Sequence, residues 1–479
     1  MLHTILPTQM QAAEQTAFAA GLSPLLTMET AARAAFDVLL DLLGCDCRGK
    51  NVLFLCGPGN NGGDGLVMAR LLLQARGFAR IILLDTPKTA EAQINLRHLQ
   101  AMGADIEAVP DELLEDEYDA VVDALFGTGF TGSIAADSPA GRLLTWANTC
   151  GPMLSIDVPS GMDAATGAVE GVCARAIWTV TFHRPKPGLY LTERRDCVGE
   201  ITVAPIGLPR EFDPQGGLLV NEEGDLHTLL PDRPASAHKG DCGRTVIYAG
   251  SLGMAGAAMM AGRAGLTTVI CPRAAMPVLQ QEMPNATCLA AEDQPTPKCD
   301  ALLMGCGIAE NDDTYADMMR LKATDAYQVW DAGALNLLAG HPQQLGARAV
   351  ITPHAGEAAR LLGWEIPAVL SDKLGAAEAL RAKYGCNVVL KSAVTVMLTA
   401  DGQQCALNAV GSPALAKGGS GDALAGILAS LLGQGLPMFD AMRAACLWLG
   451  LAGIAAGKRC GVRAALTGDV IDSLGACEG

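Results

Sequence analysis

Short, fully apolar runs alternate along the chain with longer segments in which apolar residues recur at helical spacing. The runs at 51–56, 120–125 and 153–158 carry few polar side chains, as expected of strands that are buried on both faces of a parallel sheet. Similar runs return at 244–248 and 301–304 after an interruption. The pattern therefore predicts an α/β protein with more than one sheet.

The interruption at 211–239 is rich in proline, glycine and charged residues and lacks periodicity, apart from a short helical piece near 222–230. We therefore place a domain boundary near Gly217, which gives domains 1–216 and 217–479. The length of 479 residues supports this division, because a single hydrophobic core rarely serves so long a chain.

Composition excludes some classes of partner. The net charge of −17 argues against bulk attraction to nucleic acid or to an anionic membrane, so we expect neither as a partner.

Sixteen cysteines form no CxxC pair, which suits reduced thiols and predicts a cytoplasmic protein. No basic segment precedes an apolar run at the N terminus, and the longest apolar run, 444–457, is too short to span a bilayer. We interpret that run as a buried core helix.

The first candidate site is the glycine-rich turn Gly418–Gly421, which precedes Asp422 and an apolar helix. Free N–H groups and the positive end of the helix dipole meet at such a turn and favour phosphate. A carboxylate beside an anion site is explained if Asp422 activates a hydroxyl that attacks the phosphate. The alternative is an ordinary glycine loop with Asp422 as the helix N-cap.

A second glycine-rich turn, Gly57–Gly65, follows the strand at 51–56 and precedes a helix predicted from Leu66. Strand, turn and helix together form a phosphate-binding βα unit, although no Walker lysine follows. Asn60 and Asn61 add carbonyl oxygens that suit a monovalent cation or an amide. The alternative is a turn that needs glycine for positive φ.

Oxygen-bearing side chains follow two further predicted strands. Because ligands bind at the carboxyl ends of strands in open α/β sheets, Asn61, Asp123 and Ser160 are candidates for one cation site. Asp157 is a candidate for the working carboxylate, with a turn cap as the alternative. In the loop at 183–189, Lys186 either contacts a phosphate or is simply solvated.

At this point the sequence resembles a known family. The motifs GPGNNGGDGLVMAR, DALFGTG, IDVPSGMD and TVTFHRPKPGL resemble NAD(P)H-hydrate epimerase domains. HKGDCGR, GSLGMAGA, PHAGE, LKSAVTV and AKGGSGDALAG resemble ADP-dependent NAD(P)H-hydrate dehydratases of the ribokinase-like superfamily. Their order is similar to that in the bifunctional NAD(P)H-hydrate repair enzymes of bacteria.

The resemblance implies a fold and an activity. The N-terminal domain would be a Rossmann-like α/β/α sandwich and the C-terminal domain ribokinase-like. The first would interconvert the R and S hydrates of NADH and NADPH with a bound K⁺. The second would dehydrate the S epimer with ADP and Mg²⁺, releasing AMP and phosphate. The expected partners are thus the hydrates NADHX and NADPHX and ADP, and we expect a homo-oligomer.

The resemblance also implies roles for residues of the first domain. Asp157 would contact the nicotinamide end and act as acid or base at C6. The K⁺ ligands would come from Asn61, Asp123 and Ser160. The hydrated dinucleotide would be held by Asn60, Asn61, Gly62, Gly63, Asp64, Gly127, Thr128, Gly129, Phe130, Thr131, Gly132, Ser133 and Asp157.

In the second domain, Asp422 would activate the C6 hydroxyl to attack the β-phosphate of ADP. Phosphorylation replaces hydroxide with phosphate, a better leaving group. The AMP part of ADP would be held by Lys391, Ser392, Ala393, Val394, Thr395 and Gly421. The hydrate would be bound by Ala257, Gly307, His354 and Asp422.

The sequence departs from the family pattern in places. Gly333 stands where a second acidic residue is usual, Gly305–Ala309 reads GCGIA instead of a GPGLG-like turn, and the lead-in has METAA instead of a MENAG-like stretch. The helix after Gly256 is predicted to be shortened. These departures keep open one alternative, a nucleotide-binding protein with a degenerate second domain. A second alternative is a ribokinase-like kinase for a small molecule, and the N-terminal domain argues against it.

Overall fold

A computed structural model describes residues 2–110, 112–113, 116–214, 216–230, 233–238, 242–261 and 266–478, without the side chains of residues 260 and 261. The chain divides into two compact units. The first unit is His3–Gly217 and the second is Leu218–Gly479, to which Leu2 also belongs.

The chain begins with a two-residue strand, β1 (Leu2–His3), which is counted with the sheet of the second unit. The first unit follows with two long N-terminal helices, a parallel sheet and its connecting helices. In chain order these are α1 (Pro7–Ala19), α2 (Pro24–Leu42), β2 (Asn51–Cys56), α3 (Asn60–Gln74), β3 (Phe78–Leu83), α4 (Ala90–Ala101), β4 (Asp105–Ala108), β5 (Ala120–Ala124), α5 (Pro139–Ala147), β6 (Met153–Ile156), β7 (Trp178–Phe182), α6 (Gly188–Leu191) and β8 (Glu200–Ala204).

The seven strands of the first sheet have the order β4-β3-β2-β5-β6-β7-β8, and all neighbouring pairs are parallel. The strand order changes direction between β2 and β5, which is the position where such sheets bind ligands. Successive residues of β2 enter different cores: Phe54 packs with the helices on one face and Leu55 with those on the other. Burial on both faces explains why this strand is apolar throughout.

The second unit is built from a larger sheet and its helices. In chain order these are β9 (Leu219–Val220), α7 (Leu226–Leu229), β10 (Arg244–Tyr248), α8 (Ala255–Ala261), β11 (Leu266–Cys271), α9 (Met276–Glu282), β12 (Thr287–Ala290), β13 (Ala301–Met304), α10 (Asp312–Lys322), β14 (Tyr327–Trp330), α11 (Gly333–Gly340), β15 (Ala349–Ile351), α12 (Ala355–Leu362), α13 (Ile366–Ser371), α14 (Lys373–Tyr384), β16 (Asn387–Leu390), β17 (Thr395–Leu398), β18 (Cys405–Asn408), α15 (Ser420–Gly433), α16 (Met438–Cys460) and α17 (Thr467–Asp472).

The larger sheet has eleven strands in the order β1-β9-β18-β17-β16-β15-β14-β13-β10-β11-β12. From β12 to β16 all neighbouring pairs are parallel, and β17 is antiparallel to both of its neighbours. Helix α15 packs on β13 and β14 and is covered by α16. The fold class predicted from the sequence is therefore confirmed, with a Rossmann-like α/β first domain and a ribokinase-like α/β second domain.

Helix α16 contains the longest apolar run. By length and hydropathy alone this helix is able to cross a membrane, but 61% of its most apolar window is buried inside the protein. Burial of this extent is typical of a core helix, as the sequence predicted for residues 444–457.

The principal difference from the sequence-based expectation is the start of α3. A helix was predicted from Leu66, yet it begins at Asn60, so the segment Asn60–Gly65 forms its first turns. The glycines are needed for close packing, because an added Cβ at Gly62 would lie 1.9 Å from the carbonyl oxygen of Gly57. The turn is therefore a tightly packed helix start, and positive φ is not what its glycines provide.

We expect Gly62→Ala to lower the free energy of unfolding of the first unit by about 1–3 kcal/mol or more, because the new methyl group would overlap backbone atoms. Gly59→Ala is the matched control, since an added Cβ there meets no atom within 4 Å, and it should cost less than about 1 kcal/mol. Urea unfolding of both variants measures the difference. Equal losses would show that the close approach is relieved at little cost.

Candidate active sites

The first candidate site lies at the carboxyl ends of β2, β5 and β6. Neighbouring strands place Leu55 beside Asp123 and Asp123 beside Ser155. Helix α3 then brings Asn61 to the same place, because an ideal Cβ at Gly127 would lie 3.2 Å from Asn61 Cγ and 3.1 Å from Asp157 Oδ2. The structure thus brings Asn61, Gly127 and Asp157 together at this edge of the sheet.

Asp123 is fully buried and bonded to neutral donors. Ser160 donates its hydroxyl at 2.6 Å and its N–H at 2.9 Å, and the Ser155 hydroxyl donates at 2.8 Å. Burial raises the pKa of Asp123, although the hydrogen bonds from Ser160 and Ser155 oppose that effect. Among the described residues no cation pairs with this carboxylate. A bound cation would compensate its charge.

Asn61 carries the clearest sign of a ligand at this site. Its amide nitrogen and oxygen are both buried, and neither has a hydrogen-bond partner in the described structure. Buried polar atoms are nearly always paired, so an external group is expected to bind this side chain. A cation contacting Asn61, Asp123 and Ser160 would find an amide, a carboxylate and a hydroxyl oxygen, which are hard ligands.

Asp157 is held in a strained and well-defined position after β6, with φ of 67°. Its Oδ1 accepts a hydrogen bond from Lys186 Nζ at 2.5 Å, and its Oδ2 accepts one from the Thr128 N–H at 3.2 Å. Asp157 therefore links the loop Gly127–Ser133 to the buried ammonium group of Lys186. This ion pair was not predicted.

Lys186 differs from both interpretations offered by its sequence context. It is only 1% exposed, so it is not a solvated loop lysine. Its ammonium group donates to Asp157, to the Thr181 hydroxyl at 3.2 Å and to the Phe182 carbonyl at 3.1 Å. Three acceptors use its three N–H bonds, which leaves none for a phosphate.

The loop Gly127–Ser133 is the more open side of the first site. Phe130 lies against Phe126 with ring centroids 5.2 Å apart, and its N–H donates to the carbonyl of Gly127. The side of the loop away from Asp157 is exposed, and it consists of Gly129, Thr131, Gly132 and Ser133.

The second candidate site is a cavity of about 800 Å³ in the second unit. Its wall joins the start of α15, the turn after β16 and the start of α12. The lining residues singled out from the sequence are His354, Lys391, Ser392, Ala393, Thr395 and Gly421. Val394 lies between them but is only 1% exposed, and its side chain does not line the cavity.

Lys391 sits at the base of this cavity in a buried charge network. Its Nζ donates to Asp331 Oδ1 at 2.7 Å and lies 4.0 Å from Glu357 Oε2, while the Thr352 hydroxyl donates to the same Asp331 oxygen at 2.8 Å. Burial lowers the pKa of Lys391, but the carboxylates of Asp331 and Glu357 outweigh burial and raise it. The ammonium group is therefore charged at neutral pH.

Asp422 lies beside this network in the first turn of α15. Burial raises the pKa of its carboxyl to about 6, with a further contribution from Asp331, while Cys306 and Lys391 oppose the rise. One ligand atom of each of Cys306, Asp331 and Asp422 lies within 4.8 Å of the others. A carboxyl with a pKa in this range is able to accept a proton close to neutral pH.

Ala257 and Gly307 also lie together, because an added Cβ at Gly307 would be 2.9 Å from Ala257 Cβ. Neither residue lines the cavity. His354 does so: its Nδ1 accepts the N–H of Gly356 at 3.0 Å and caps α12, and its side chain is 60% exposed. Of the four residues predicted to bind the hydrate, only His354 lines the cavity, whereas Ala257, Gly307 and Asp422 do not.

The departures from the family pattern have physical explanations. An added Cβ at Gly333 would lie 2.7 Å from Ile308 Cγ1, so the usual acidic side chain has no room here. Asp331, two residues earlier, supplies the carboxylate that pairs with Lys391. The segment 262–265, which bears on the predicted shortening of the helix after Gly256, lies outside the described residues, as do Lys239, Gly240 and Asp241 of the HKGDCGR motif.

Family comparisons agree with the two units. The family model described as YjeF-related protein N-terminus matches residues 26–188, and the model described as NAD(P)H-hydrate dehydratase matches residues 245–474. Bifunctional NAD(P)H-hydrate repair enzymes of Escherichia coli and Coxiella burnetii are 35% and 34% identical to this chain. The alignments cover 95% and 97% of it and 89% and 97% of those proteins. The chain belongs to the bifunctional NAD(P)H-hydrate repair enzyme family.

The predicted family is therefore confirmed, together with the combination of an epimerase domain and a dehydratase domain in one enzyme. A relative from Moorella thermoacetica with the same description is 34% identical over 89% of this chain and 87% of its own. Within this family frame, sequence reasoning missed Lys186 and Asp331 as partners in buried ion pairs. For Asp331 the sequence offered only a weak signal, namely its position directly after a predicted buried strand.

We expect Lys186→Met to lower the free energy of unfolding of the first unit by about 3–5 kcal/mol, because it leaves the buried Asp157 carboxylate without its cation. Adding Asp157→Asn should recover part of the loss, since a neutral amide replaces the charge. Lys88→Met is the matched control: its pair with Asp85 is exposed, so its loss should change the free energy of unfolding little. Urea unfolding distinguishes these cases, and equal losses at Lys186 and Lys88 would contradict the role of the buried pair.

Proposed function

We propose that this chain repairs hydrated NADH and NADPH in two steps on two units. The unit His3–Gly217 interconverts the R and S hydrates. The unit Leu218–Gly479 then uses ADP to dehydrate the S hydrate, yielding NAD(P)H, AMP and phosphate. The observation that carries the proposal is Asp422, a carboxyl with a pKa of about 6 in the first turn of α15, beside a cavity with a charged lysine at its base.

In the dehydration step Asp422 takes the proton of the C6 hydroxyl, and the hydroxyl oxygen attacks the β-phosphate of ADP. AMP leaves, and the C6 oxygen now belongs to a phosphate ester. Loss of that phosphate with a proton from C5 restores the double bond. The start of α15 supports this step, because its N–H groups and dipole favour the negative charge that develops on the phosphate.

We assign the AMP part of ADP to Lys391–Thr395 and Gly421, and the hydrate to Ala257, Gly307, His354 and Asp422. Except for Val394, the residues assigned to AMP line the cavity, which supports that assignment. Lys391 is bonded to Asp331, so its charge acts on the phosphates mainly through the field at the base of the cavity.

In the epimerisation step the hydrate would lie between Asn60–Asp64 and the loop Gly127–Ser133, with Asp157 near C6. Asp157 is held by Lys186 and by the Thr128 N–H, which fixes its position against the loop. A carboxylate fixed in this way suits a base that removes a proton from water as it returns to C6.

We assign K⁺ to Asn61, Asp123 and Ser160. The unpaired amide of Asn61 and the uncompensated carboxylate of Asp123 support a cation there. Bound K⁺ would supply a fixed positive charge beside the dinucleotide. Its ligands also join α3 to β5 and to the turn after β6.

Mg²⁺ fits the second unit differently. The described group of acids there is Cys306, Asp331 and Asp422, in which a thiol is a poor magnesium ligand and Asp331 is already neutralised by Lys391. We therefore propose that Mg²⁺ enters with the phosphates of ADP. Free thiols and the net charge of −17 support a cytoplasmic location, and the homo-oligomer stays a prediction.

The test is recovery of the near-ultraviolet absorbance of NADH from a mixture of R and S hydrates, with ADP and Mg²⁺, in the presence and absence of K⁺. Complete recovery faster than spontaneous epimerisation supports both activities. Recovery of the S fraction alone would contradict the epimerase. No recovery despite ADP binding would favour a degenerate second domain, and a stable phosphorylated product would favour a kinase.

We expect Asp422→Asn to reduce dehydration of the S hydrate by about 10²-fold or more while ADP still binds, because the amide cannot accept the hydroxyl proton. Asp313→Asn, which also lies in the first turn of a helix but is exposed, is the control and should leave the rate unchanged. ADP binding is measured by calorimetry. A rate near that of the unchanged chain would remove Asp422 from the mechanism.

The dehydration rate should also rise with pH and reach half of its maximum near the Asp422 pKa of about 6. The sign follows from the role of a base, which works only when its carboxyl has lost its proton. Initial rates with pure S hydrate between about pH 5 and 8, corrected for the spontaneous reaction, give the profile. A flat profile over this range would contradict the assignment.

A further inference from the structure

The first site contains more carboxyl groups than the proposed reaction has used. Asp64 is only 8% exposed and has no hydrogen bond or ion pair to any residue that the structure describes. It lies one helical turn after Asn61 in α3, so the two side chains leave the helix on neighbouring faces. An unpaired, buried carboxyl beside a proposed substrate site calls for an explanation.

A further carboxyl, that of Glu14, lies outside the residues that match the family model of the first domain. Glu14 lies on α1, which precedes the matched residues 26–188. It is the only charged residue of that helix, and it falls between the buried residues Ala13 and Ala17 on the inward stripe. An acid in such a stripe is costly unless it has a use.

Electrostatics connects these groups. Burial raises the pKa of Asp64 well above its ordinary value, and the charges of Asp157 and Glu14 raise it further. Burial also raises the pKa of Glu14, with Asp157 adding to the effect and Lys186 opposing it. The ion pair of Lys186 with Asp157 leaves the Asp64 carboxyl without a cation among the described residues, which favours the protonated form of Asp64.

Asp157 is poorly suited to donate a proton. Its Oδ1 lies 2.5 Å from the Lys186 ammonium, and its Oδ2 accepts from Thr128, so both oxygens act as acceptors. Loss of hydroxide from C6 nevertheless needs a proton donor. When two carboxyls of one site lie in environments that separate their protonation, the protonated one acts as the acid.

We propose that Asp64 is the proton donor of the epimerisation step. This inference rests on the proposed epimerase function of the first unit. It assigns acid and base to different carboxyls: Asp64 serves the departing hydroxyl and Asp157 the returning water.

The step balances without a further reactant. The Asp64 proton moves to the C6 hydroxyl, the C6–O bond breaks with its electron pair leaving on water, and the nitrogen lone pair of the ring forms a double bond to C6. Water then adds to the other face of C6 and loses its proton to Asp157. Transfer of that proton back to Asp64 through water restores the site.

The decisive experiment follows conversion of pure R hydrate into S hydrate by chromatography, without ADP, in the full chain with K⁺. Asp64→Asn should lower kcat by about 10²-fold or more, with KM changed by less than about threefold. Asp105→Asn, an exposed aspartate on the edge strand β4, is the matched control and should behave like the unchanged chain.

The outcomes separate the inference from the function beneath it. Conversion by the unchanged chain together with a kcat for Asp64→Asn within threefold of it would overturn the role of Asp64 alone. A rise in KM at constant kcat would also overturn it, because Asp64 would then only bind substrate. Absence of conversion in the unchanged chain would overturn the proposed epimerase function itself.

The proton of Asp64 is tested by a readout that a structural role would not move. As pH rises, kcat for conversion should fall when Asp64 loses its proton. In the unchanged chain, burial and the charges of Asp157 and Glu14 act on Asp64. Glu14→Gln removes one negative charge near Asp64, so the alkaline fall should move to lower pH, with a roughly threefold to tenfold loss of rate on that limb. An unmoved limb would show that the alkaline fall does not come from Asp64 and would overturn its role as the donor.

Discussion

Neutralisation of a buried carboxylate by a single lysine is the interaction on which both candidate sites depend. Lys186 pairs with Asp157 in the first unit, and Lys391 pairs with Asp331 in the second. Each pair lies where strands of a parallel sheet end. Removing charges from water is expensive, and such pairs persist only when further hydrogen bonds complete them, as Thr181 and Thr352 do here. The pairs therefore fix the geometry of the loops that carry the remaining chemistry.

The charge balance has the same form in the two units. One ammonium group compensates one carboxylate, and a further carboxyl nearby is left in a buried setting with its pKa raised: Asp64 in the first unit and Asp422 in the second. A protonated carboxyl is able to donate and an ionised one to accept. The difference in burial suits Asp64 and Asp422 to opposite tasks, because the Asp422 carboxyl still loses its proton near pH 6.

Much of the fold and part of each site follow from the sequence. The apolar runs predict parallel strands because they are buried on both faces, and glycine with Asp422 predicts the start of α15. The helix start at Asn60 could not be predicted, since it depends on the contact between Gly62 and the Gly57 carbonyl. The partner of Lys186 could not be predicted either. Asp157 is 29 residues away in sequence and meets Lys186 only once β6 and β7 are paired.

The packing at Gly333 has a consequence for how this chain is related to others of its family. Ile308 fills the volume that the first atom of any side chain at 333 would need. An acidic residue at 333 therefore needs a smaller or differently placed residue at 308, so we expect the two positions to change together. Ancestral reconstruction should find the substitution at 308 before, or together with, the appearance of an acidic residue at 333. A chimaera that exchanges only one of the two positions should fold poorly.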